Sequence, residues 1–152
     1  MPNHILIKKR IASFKKKIFV SGDKSISIRW VLFASIASGI SKARNLLISE
    51  DVLAAINIIK KFGIRVIQKK GLFIIFGKGI DGYNFRKNTV INAGNSATLG
   101  RLILGLIINS TKTIKLVGDK SLSRRDFKRV TSPLSRFGAK FKLKKNFSLP
   151  LT

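Results

Sequence analysis

The sequence predicts a mixed α/β (α+β) fold built from repeated βαβαββ units. Strand-like apolar runs alternate with helical runs along the chain, which is the order that such a fold requires. The order also begins a second time. "KKFGIRV" at 60–66 recurs as "SRFGAKF" at 135–141, and Arg29 recurs as Arg101 in a similar apolar run. This internal similarity predicts two repeats, at about 19–80 and about 89–152.

Periodicity and capping predict the elements of the first unit. We expect strands at 5–11 and 17–21, a helix at 25–38 ended by Gly39, a strand at 40–48, a helix at 50–62, a hairpin over 64–77 that turns near residues 70 and 71, and a loop at 78–87. The first helix is apolar almost all round, which predicts burial on every side. The second helix has Ser49 as N-cap and Gly63 just past its end.

The second unit repeats this order with less regular helices. We expect a short strand from 89 that leads into an apolar helix at 97–109, a strand at 113–118, a helix at 124–137, and a strand from 139 that ends in a turn near 146. Pro133 should bend the last helix, because proline lacks the amide hydrogen that the helix needs.

The net charge is the most unusual feature of the composition. The chain has 31 Lys and Arg against 6 Asp and Glu, a formal charge of +25. This charge favours an anionic partner: nucleic acid, acidic lipid or phosphorylated metabolites. The basic residues are spread along the chain, and aromatic residues are not interleaved with them for base stacking. Because of this distribution we expect no nucleic-acid partner. A basic nucleic-acid-binding module is kept as the alternative interpretation of the charge.

The composition also argues against several classes of site and location. The chain has no cysteine and one histidine, His4, so we expect no metal site and no histidine-based triad. No apolar run approaches the roughly 20 residues of a membrane span, and the basic N-terminus lacks the apolar segment of a secretory signal. We expect a cytoplasmic protein without a membrane partner.

"GDKSIS" at 22–27 is the first candidate anion site, because a helix is predicted to begin there. A helix N-terminus presents free amide hydrogens and the positive end of the helix dipole. Gly22 allows close approach, Lys24 supplies a charge, Ser25 a hydroxyl, and Arg29 lies one helical turn further on. The alternative is that a serine of the motif merely caps the helix and the lysine is solvated.

"NAGNSATLGR" at 92–101 offers a similar arrangement at the second apolar helix. Small residues precede the helix, Thr98 can donate a hydrogen bond, and Arg101 lies in an otherwise apolar stretch. We expect an external anion to pair with Arg101, since the chain has few acidic residues. A third cationic turn follows "GDKSLS" at 118–123, where Arg124 and Arg125 begin a predicted helix. Together the three turns predict one shared site for a polyanion.

Three motifs carry a specific resemblance. "GDKSISIR", "GNSATLGRL" and "GDKSLSRRDFKRVTSPLSRFGAKF" resemble the 5-enolpyruvylshikimate-3-phosphate synthases (3-phosphoshikimate 1-carboxyvinyltransferases) from about residue 5 to 152. The resemblance implies the enolpyruvyl transferase fold, an inside-out α/β barrel, here incomplete. Residues 1–18 would be a strand segment that belongs with another domain, and 19–152 a partial domain of two repeats.

The resemblance also implies a reaction and its binding residues. The family transfers the enolpyruvyl group of phosphoenolpyruvate to the 5-hydroxyl of shikimate 3-phosphate and releases phosphate, in chorismate and aromatic amino-acid biosynthesis. By motif, Lys24, Ser25 and Arg29 would bind shikimate 3-phosphate. Lys24, Ala97, Thr98 and Arg125 would bind phosphoenolpyruvate. No cofactor is implied, and the full-length protein would be a monomer.

Two departures from the family qualify this interpretation. Ala97 occupies the position where glyphosate-sensitive members have glycine, which implies the insensitive type. The family's sequences continue to about three times this length, and the residues used for proton transfer are not recognisable here. We therefore expect an N-terminal fragment that is inactive alone, without an identifiable catalytic residue. The related UDP-N-acetylglucosamine enolpyruvyl transferase remains a second alternative, although the quoted motifs speak against it.

Overall fold

The computed structural model of the chain describes residues 6, 8–10, 13, 15–144 and 146–152. Its elements, in chain order, are α1 (Lys24–Ile36), β1 (Ser38–Arg44), α2 (Glu50–Lys61), β2 (Arg65–Lys69), β3 (Leu72–Lys78), β4 (Thr89–Asn92), α3 (Ala97–Leu106), β5 (Ile114–Val117), a 3₁₀ turn (Leu122–Arg124) and α4 (Lys128–Arg136). The predicted mixed α/β class is confirmed. None of the helices in these residues is long and apolar enough to cross a membrane.

An antiparallel sheet of three strands forms the centre of the first unit, in the order β1–β3–β2. β2 and β3 are joined by the predicted tight turn, in which Lys70 and Gly71 both have positive φ, as a two-residue hairpin turn of the primed type requires. Phe73 and Ile75 of β3 are buried, and helix α1 packs against both this strand and α2. One face of the sheet is thus covered by the two helices.

The second unit contains a parallel pair of strands, β4 and β5, connected through α3. Helix α3 contacts α1 and α4, so it joins the two units through a continuous core. The predicted strand at 139–146 is wrong for residues 139–144, because a strand needs a continuous ladder of hydrogen bonds. Among the described residues of this region, the pairs that form are isolated: Lys142 exchanges backbone hydrogen bonds with Thr152, and Leu116 with Leu151. Residue 145 lies outside the described residues.

The predicted strand at 17–21 is also wrong. This segment has no strand pairing; its one hydrogen bond to another part of the described chain runs from the Asn45 side chain to the Val20 carbonyl, at 3.2 Å. For the predicted strand at 5–11, residues 5, 7 and 11 lie outside the described residues, and 6 and 8–10 are not in a strand. The assignment of 1–18 to another domain stays a prediction.

Helix α1 differs from its prediction in length and in burial. It ends at Ile36, and Gly39 lies inside β1 rather than at the helix end. Ile28 and Val31 are fully buried, as expected, but Ile26 and Phe33 are 67% and 62% exposed. The helix is therefore buried on one side only, and an apolar sequence alone did not indicate which side would remain uncovered.

The bounds of two further elements differ from their predictions because of local backbone conformation. Strand β1 stops at Arg44, since Asn45 has a positive φ that interrupts an extended chain. The helix expected at 124–137 is split: the 3₁₀ turn ends at Arg124, Arg125 is extended, and α4 begins at Lys128. The carboxylate of Asp126 accepts a hydrogen bond from the Lys128 amide at 2.6 Å, which supports this later start. Pro133 lies inside α4, as predicted.

The two matching sequences at 60–66 and 135–141 adopt the same helix-ending geometry. Gly63 and Gly138 follow α2 and α4 with φ of +83° and +92°. In each case the amide of the residue after the glycine donates to the carbonyl five residues earlier, at 3.1 Å and 3.2 Å. This is the Schellman arrangement, which satisfies carbonyls that the helix leaves free. The repeat seen in the sequence thus corresponds to a repeated local structure.

Candidate functional site

Asp23, the second residue of the first "GDKS" motif, caps helix α1. Its carboxylate accepts a hydrogen bond from the Ile26 amide at 2.7 Å. The idea that a serine of this motif is the cap is wrong: Ser27 is buried and its hydroxyl donates to the Asp23 carbonyl at 2.6 Å. The amides of Lys24 and Ser25 in the first turn have no partner within the helix. They remain available to an anion.

The second "GDKS" motif uses the same chemistry at the 3₁₀ turn. The carboxylate of Asp119 accepts from the Leu122 amide at 2.7 Å, three residues on, as Asp23 does in the first motif. The amide of Ser123 then donates to the Asp119 carbonyl at 2.9 Å. The two similar stretches are therefore two independent aspartate caps. Only the first one starts an α-helix.

Gly22 is required by chain packing, and the close approach of a ligand to it stays a prediction. A Cβ atom at this position would overlap the carbonyl oxygen of Asn45. The loop after β1 thus lies directly against the start of the first motif. The amide of Leu47, in the same loop, donates to the Ser27 hydroxyl at 3.0 Å. These contacts fix the position from which Lys24 projects.

Helix α3 begins with a buried serine cap. The hydroxyl of Ser96 accepts from the Leu99 amide at 3.3 Å. Ala97 and Thr98 form the first turn, and their amides have no partner inside the helix. Arg125 comes to the same region from the extended segment between the 3₁₀ turn and α4. The cationic turns predicted from the sequence therefore meet at the starts of α1 and α3.

An open pocket of about 300 Å³ lies where these segments meet. It is lined by Lys24, Asp51, Asn95, Ser96, Ala97, Thr98, Ser121 and Arg125. Four of the six predicted binding residues are in this set: Lys24, Ala97, Thr98 and Arg125. Ser25 and Arg29 are not in it; Arg29 is exposed one turn along α1. Their role in binding stays a prediction.

The electrostatics of the pocket favour a small anion. Two cationic side chains, Lys24 and Arg125, face one carboxylate, that of Asp51, whose Oδ2 lies 3.2 Å from Lys24 Nζ. The N-termini of α1, α2 and α3 add the positive ends of three helix dipoles. The sequence does not indicate Asp51 as a pocket residue, because the helix dipole alone explains an acidic residue in the first turn of a helix.

Arg101 is not among the residues that line the pocket, and the expectation of an external anion partner for it stays a prediction. Its Nη2 donates to the carbonyl of Asp126 at 3.2 Å, and the guanidinium lies 5.8 Å from the centre of the Phe127 ring. Its Nε is buried and has no hydrogen-bond partner in the described residues. Arg101 therefore holds the chain next to Arg125, while Arg124 is exposed.

Comparison with known proteins shows the family of the chain. The family model described as EPSP synthase (3-phosphoshikimate 1-carboxyvinyltransferase) matches residues 8–152. The chain belongs to the EPSP synthase family. A 3-phosphoshikimate 1-carboxyvinyltransferase of Sulfurihydrogenibium sp. (strain YO3AOP1) is 36% identical over 141 residues, which are 93% of this chain and 32% of the relative. One of Oenococcus oeni is 38% identical over 144 residues, 95% of this chain and 33% of the relative.

The fold agrees with that of an EPSP synthase. The structure of EPSP synthase from Acinetobacter baumannii superimposes with a TM-score of 0.83 at 32% identity, and it covers 91% of this chain. The match uses 32% of the Acinetobacter chain. The chain thus spans about a third of the length of its relatives, and its fold is a part of the inside-out α/β fold of EPSP synthases.

Proposed function

We propose that this chain is the substrate-binding part of a 3-phosphoshikimate 1-carboxyvinyltransferase. The enzyme would move the enolpyruvyl group of phosphoenolpyruvate to the 5-hydroxyl of shikimate 3-phosphate and release phosphate. One observation carries the proposal: Lys24, Thr98 and Arg125 come from three separate parts of the chain and line one pocket. Family membership supplies the reaction, and this convergence supplies the reason that these residues matter.

The pocket suits phosphoenolpyruvate, a small molecule with a carboxylate and a phosphate. Arg125 can form paired hydrogen bonds with either group, because its guanidinium presents several donors in one plane. The free amides of Ala97 and Thr98 at the start of α3 add donors and the dipole's positive end. We infer that the phosphoenolpyruvate binds between the start of α3 and Arg125.

Shikimate 3-phosphate would bind on the α1 side of the same pocket. Lys24 lies in the first turn of α1, followed by Ser25, and Arg29 lies one turn further on. Lys24 would then stand between two anionic substrates. Two unit charges 4 Å apart repel by about 4 kcal/mol at an effective dielectric constant of 20, so a shared cation is needed to hold both substrates together.

The proposed reaction is an addition followed by an elimination. In the addition, the 5-hydroxyl oxygen loses its proton and forms a bond to the substituted carbon of the enol, while the methylene carbon takes up a proton and becomes a methyl group. In the elimination, the bond from that substituted carbon to the phosphate oxygen breaks, and the methyl group gives up a proton to restore the methylene. The part of the residues in this chain is binding, orientation and stabilisation of the leaving phosphate. We further propose that the enzyme acts as a monomer in the cytoplasm on these small molecules.

Ligand titration of the 152-residue chain tests the binding part of the proposal. We expect saturable binding of shikimate 3-phosphate, followed by NMR or calorimetry, and no binding of shikimate at the same concentrations. Lys24→Met should weaken binding. Lys120→Met is the matched control, because Lys120 occupies the same place in the second motif and is exposed outside the pocket. Salt-dependent binding to any duplex DNA, without an effect of shikimate 3-phosphate, would favour the nucleic-acid alternative instead.

A chimera tests the reaction itself. The part of the Oenococcus oeni relative that this chain matches would be replaced by this chain, and phosphate release from phosphoenolpyruvate would be measured. We expect release that depends on shikimate 3-phosphate and is lost with Lys24→Met. A folded chimera that binds neither substrate would contradict the proposal.

A further inference from the structure

We propose that Asp51 is a positioning residue, which holds the ammonium group of Lys24 at the pocket for the binding of phosphoenolpyruvate. The inference rests on the proposed function, since it assigns a role within the same site. Nothing in the sequence motifs pointed to Asp51. Its position follows from one contact and from the burial of its side chain.

The contact joins the starts of α1 and α2. Asp51 Oδ2 lies 3.2 Å from Lys24 Nζ, and both side chains line the pocket. The Asp51 side chain is 10% exposed, whereas that of Lys24 is 54% exposed. A lysine side chain has a long flexible stem and loses considerable rotamer entropy when it is fixed. A buried carboxylate that pairs with the ammonium removes part of that cost before a ligand binds.

The ammonium group can serve both partners. It has three hydrogens to donate, so one directed at Asp51 leaves two for a substrate. Asp51 itself belongs to the rigid first turn of α2, which Ser49 caps through its bond to the Val52 amide. The carboxylate is therefore a fixed point, and Lys24 is the mobile side chain that it restrains.

Charge repulsion and positioning predict opposite effects of removing Asp51 on phosphoenolpyruvate binding, so the role can be tested. Asp51 is the one carboxylate among the residues that line a pocket proposed for anions, so it should repel the ligand. If charge alone mattered, its removal would strengthen phosphoenolpyruvate binding. If Asp51 positions Lys24, its removal weakens binding, and the weakening disappears when Lys24 is absent.

The experiment is a double-mutant cycle in the 152-residue chain, titrated with phosphoenolpyruvate. We expect Asp51→Asn to weaken binding by roughly tenfold, in line with a hydrogen bond to a charged group. In the Lys24→Met background, Asp51→Asn should leave binding unchanged or make it tighter. Glu50→Gln is the matched control, because it removes a charge from the same helical turn but is exposed and outside this pocket. It should have little effect.

The outcomes separate this role from the proposed function. Binding by Asp51→Asn that equals or exceeds that of the unsubstituted chain would overturn the role alone. So would a weakening that persists with Lys24→Met, since Asp51 would then act through the fold. If Asp51→Asn does not fold, Asp51→Glu serves instead; it keeps the charge, displaces it by one methylene, and should weaken binding only when Lys24 is present. An unsubstituted chain that binds neither phosphorylated substrate would overturn the proposed function and this role with it.

Discussion

Arg101 donates a hydrogen bond from its guanidinium group to the main-chain carbonyl of Asp126, 3.2 Å away. The bond ties α3 to the residue that directly follows Arg125, so the helix that contributes Ala97 and Thr98 to the pocket also fixes the segment that carries Arg125. The guanidinium lies over the buried ring of Phe127, which adds an attraction between the cation and the aromatic face. One side chain thus connects two sides of the candidate site.

We therefore expect Arg101→Met to destabilise the chain and to weaken phosphoenolpyruvate binding without touching the ligand. The lost hydrogen bond and cation–aromatic contact should lower the free energy of unfolding by about 1–2 kcal/mol, measured by urea denaturation. Arg129→Met, an exposed arginine of α4, is the control and should change little. Unaltered unfolding of Arg101→Met would show that this contact does not hold the segment.

Gly22 gives a second prediction, about close packing of the backbone. An alanine here would place a methyl group against the Asn45 carbonyl oxygen and the Leu47 amide nitrogen, so the backbone of the loop would have to shift. We expect Gly22→Ala to lower the free energy of unfolding by about 1–3 kcal/mol.

Gly105→Ala is the control for that substitution. Gly105 lies in α3, and a Cβ atom there would meet nothing within 4 Å. Because alanine favours a helix more than glycine does, the free energy of unfolding of this variant should be higher by about 0.5–1 kcal/mol. If both variants changed the free energy of unfolding in the same direction, a steric clash at Gly22 would not explain the effect of Gly22→Ala.

Local signals in the sequence predicted the parts of the fold that depend on local chemistry. The structure has the helix from Glu50 at the predicted position, with the predicted serine cap and terminal glycine. It also has the predicted hairpin turn at Lys70 and Gly71. Each of these depends on interactions within a few residues. Gly138 follows α4 with a positive φ as Gly63 follows α2, which agrees with the sequence match between 60–66 and 135–141.

Features that need a distant partner were not predictable in the same way. The strand expected at 17–21 has strand-forming residues but no pairing strand in the described chain. Asp51 could be explained by the helix dipole, so its contact with Lys24 was missed. The contacts of Arg101 with the Asp126 carbonyl and the Phe127 ring were missed as well, because these residues lie far along the chain and no local pattern in the sequence indicates them.

Tyr83 gives a prediction about pH. It is the chain's single tyrosine, it is buried against Phe62 and Phe85, and its hydroxyl is hydrogen-bonded to Ser35. Burial raises the pKa of the Tyr83 phenol above its usual value near 10. The folded chain therefore keeps the proton at pH values where the unfolded chain loses it, so this contribution to stability is complete below pH 10 and is lost as the pH rises beyond it.

Tyr83→Phe isolates that contribution from the titration of the many lysines. At pH 8 the variant should be less stable by about 1 kcal/mol, because the hydrogen bond to Ser35 is lost. Between pH 10 and 11 the difference from the unsubstituted chain should shrink. Urea unfolding at several pH values measures it, and absorbance at 295 nm reports the phenol directly. A difference that stays constant or grows above pH 10 would contradict the raised pKa.

Ala97 gives the last prediction, which concerns an inhibitor. Ala97 is the first residue of α3 and lines the pocket together with Thr98 and Lys24. The resemblance to glyphosate-insensitive members implies that the Ala97 methyl group crowds glyphosate more than the shorter phosphoenolpyruvate. Ala97→Gly should therefore bind glyphosate more tightly, by roughly tenfold if relief of the clash is about 1.4 kcal/mol, within the 1–3 kcal/mol typical of overpacking. Phosphoenolpyruvate binding should change much less. Competition between glyphosate and phosphoenolpyruvate, measured with shikimate 3-phosphate present, distinguishes these effects. An equal change in affinity for both ligands would contradict the prediction. It would mean that the substitution alters the start of α3 and not the space beside it.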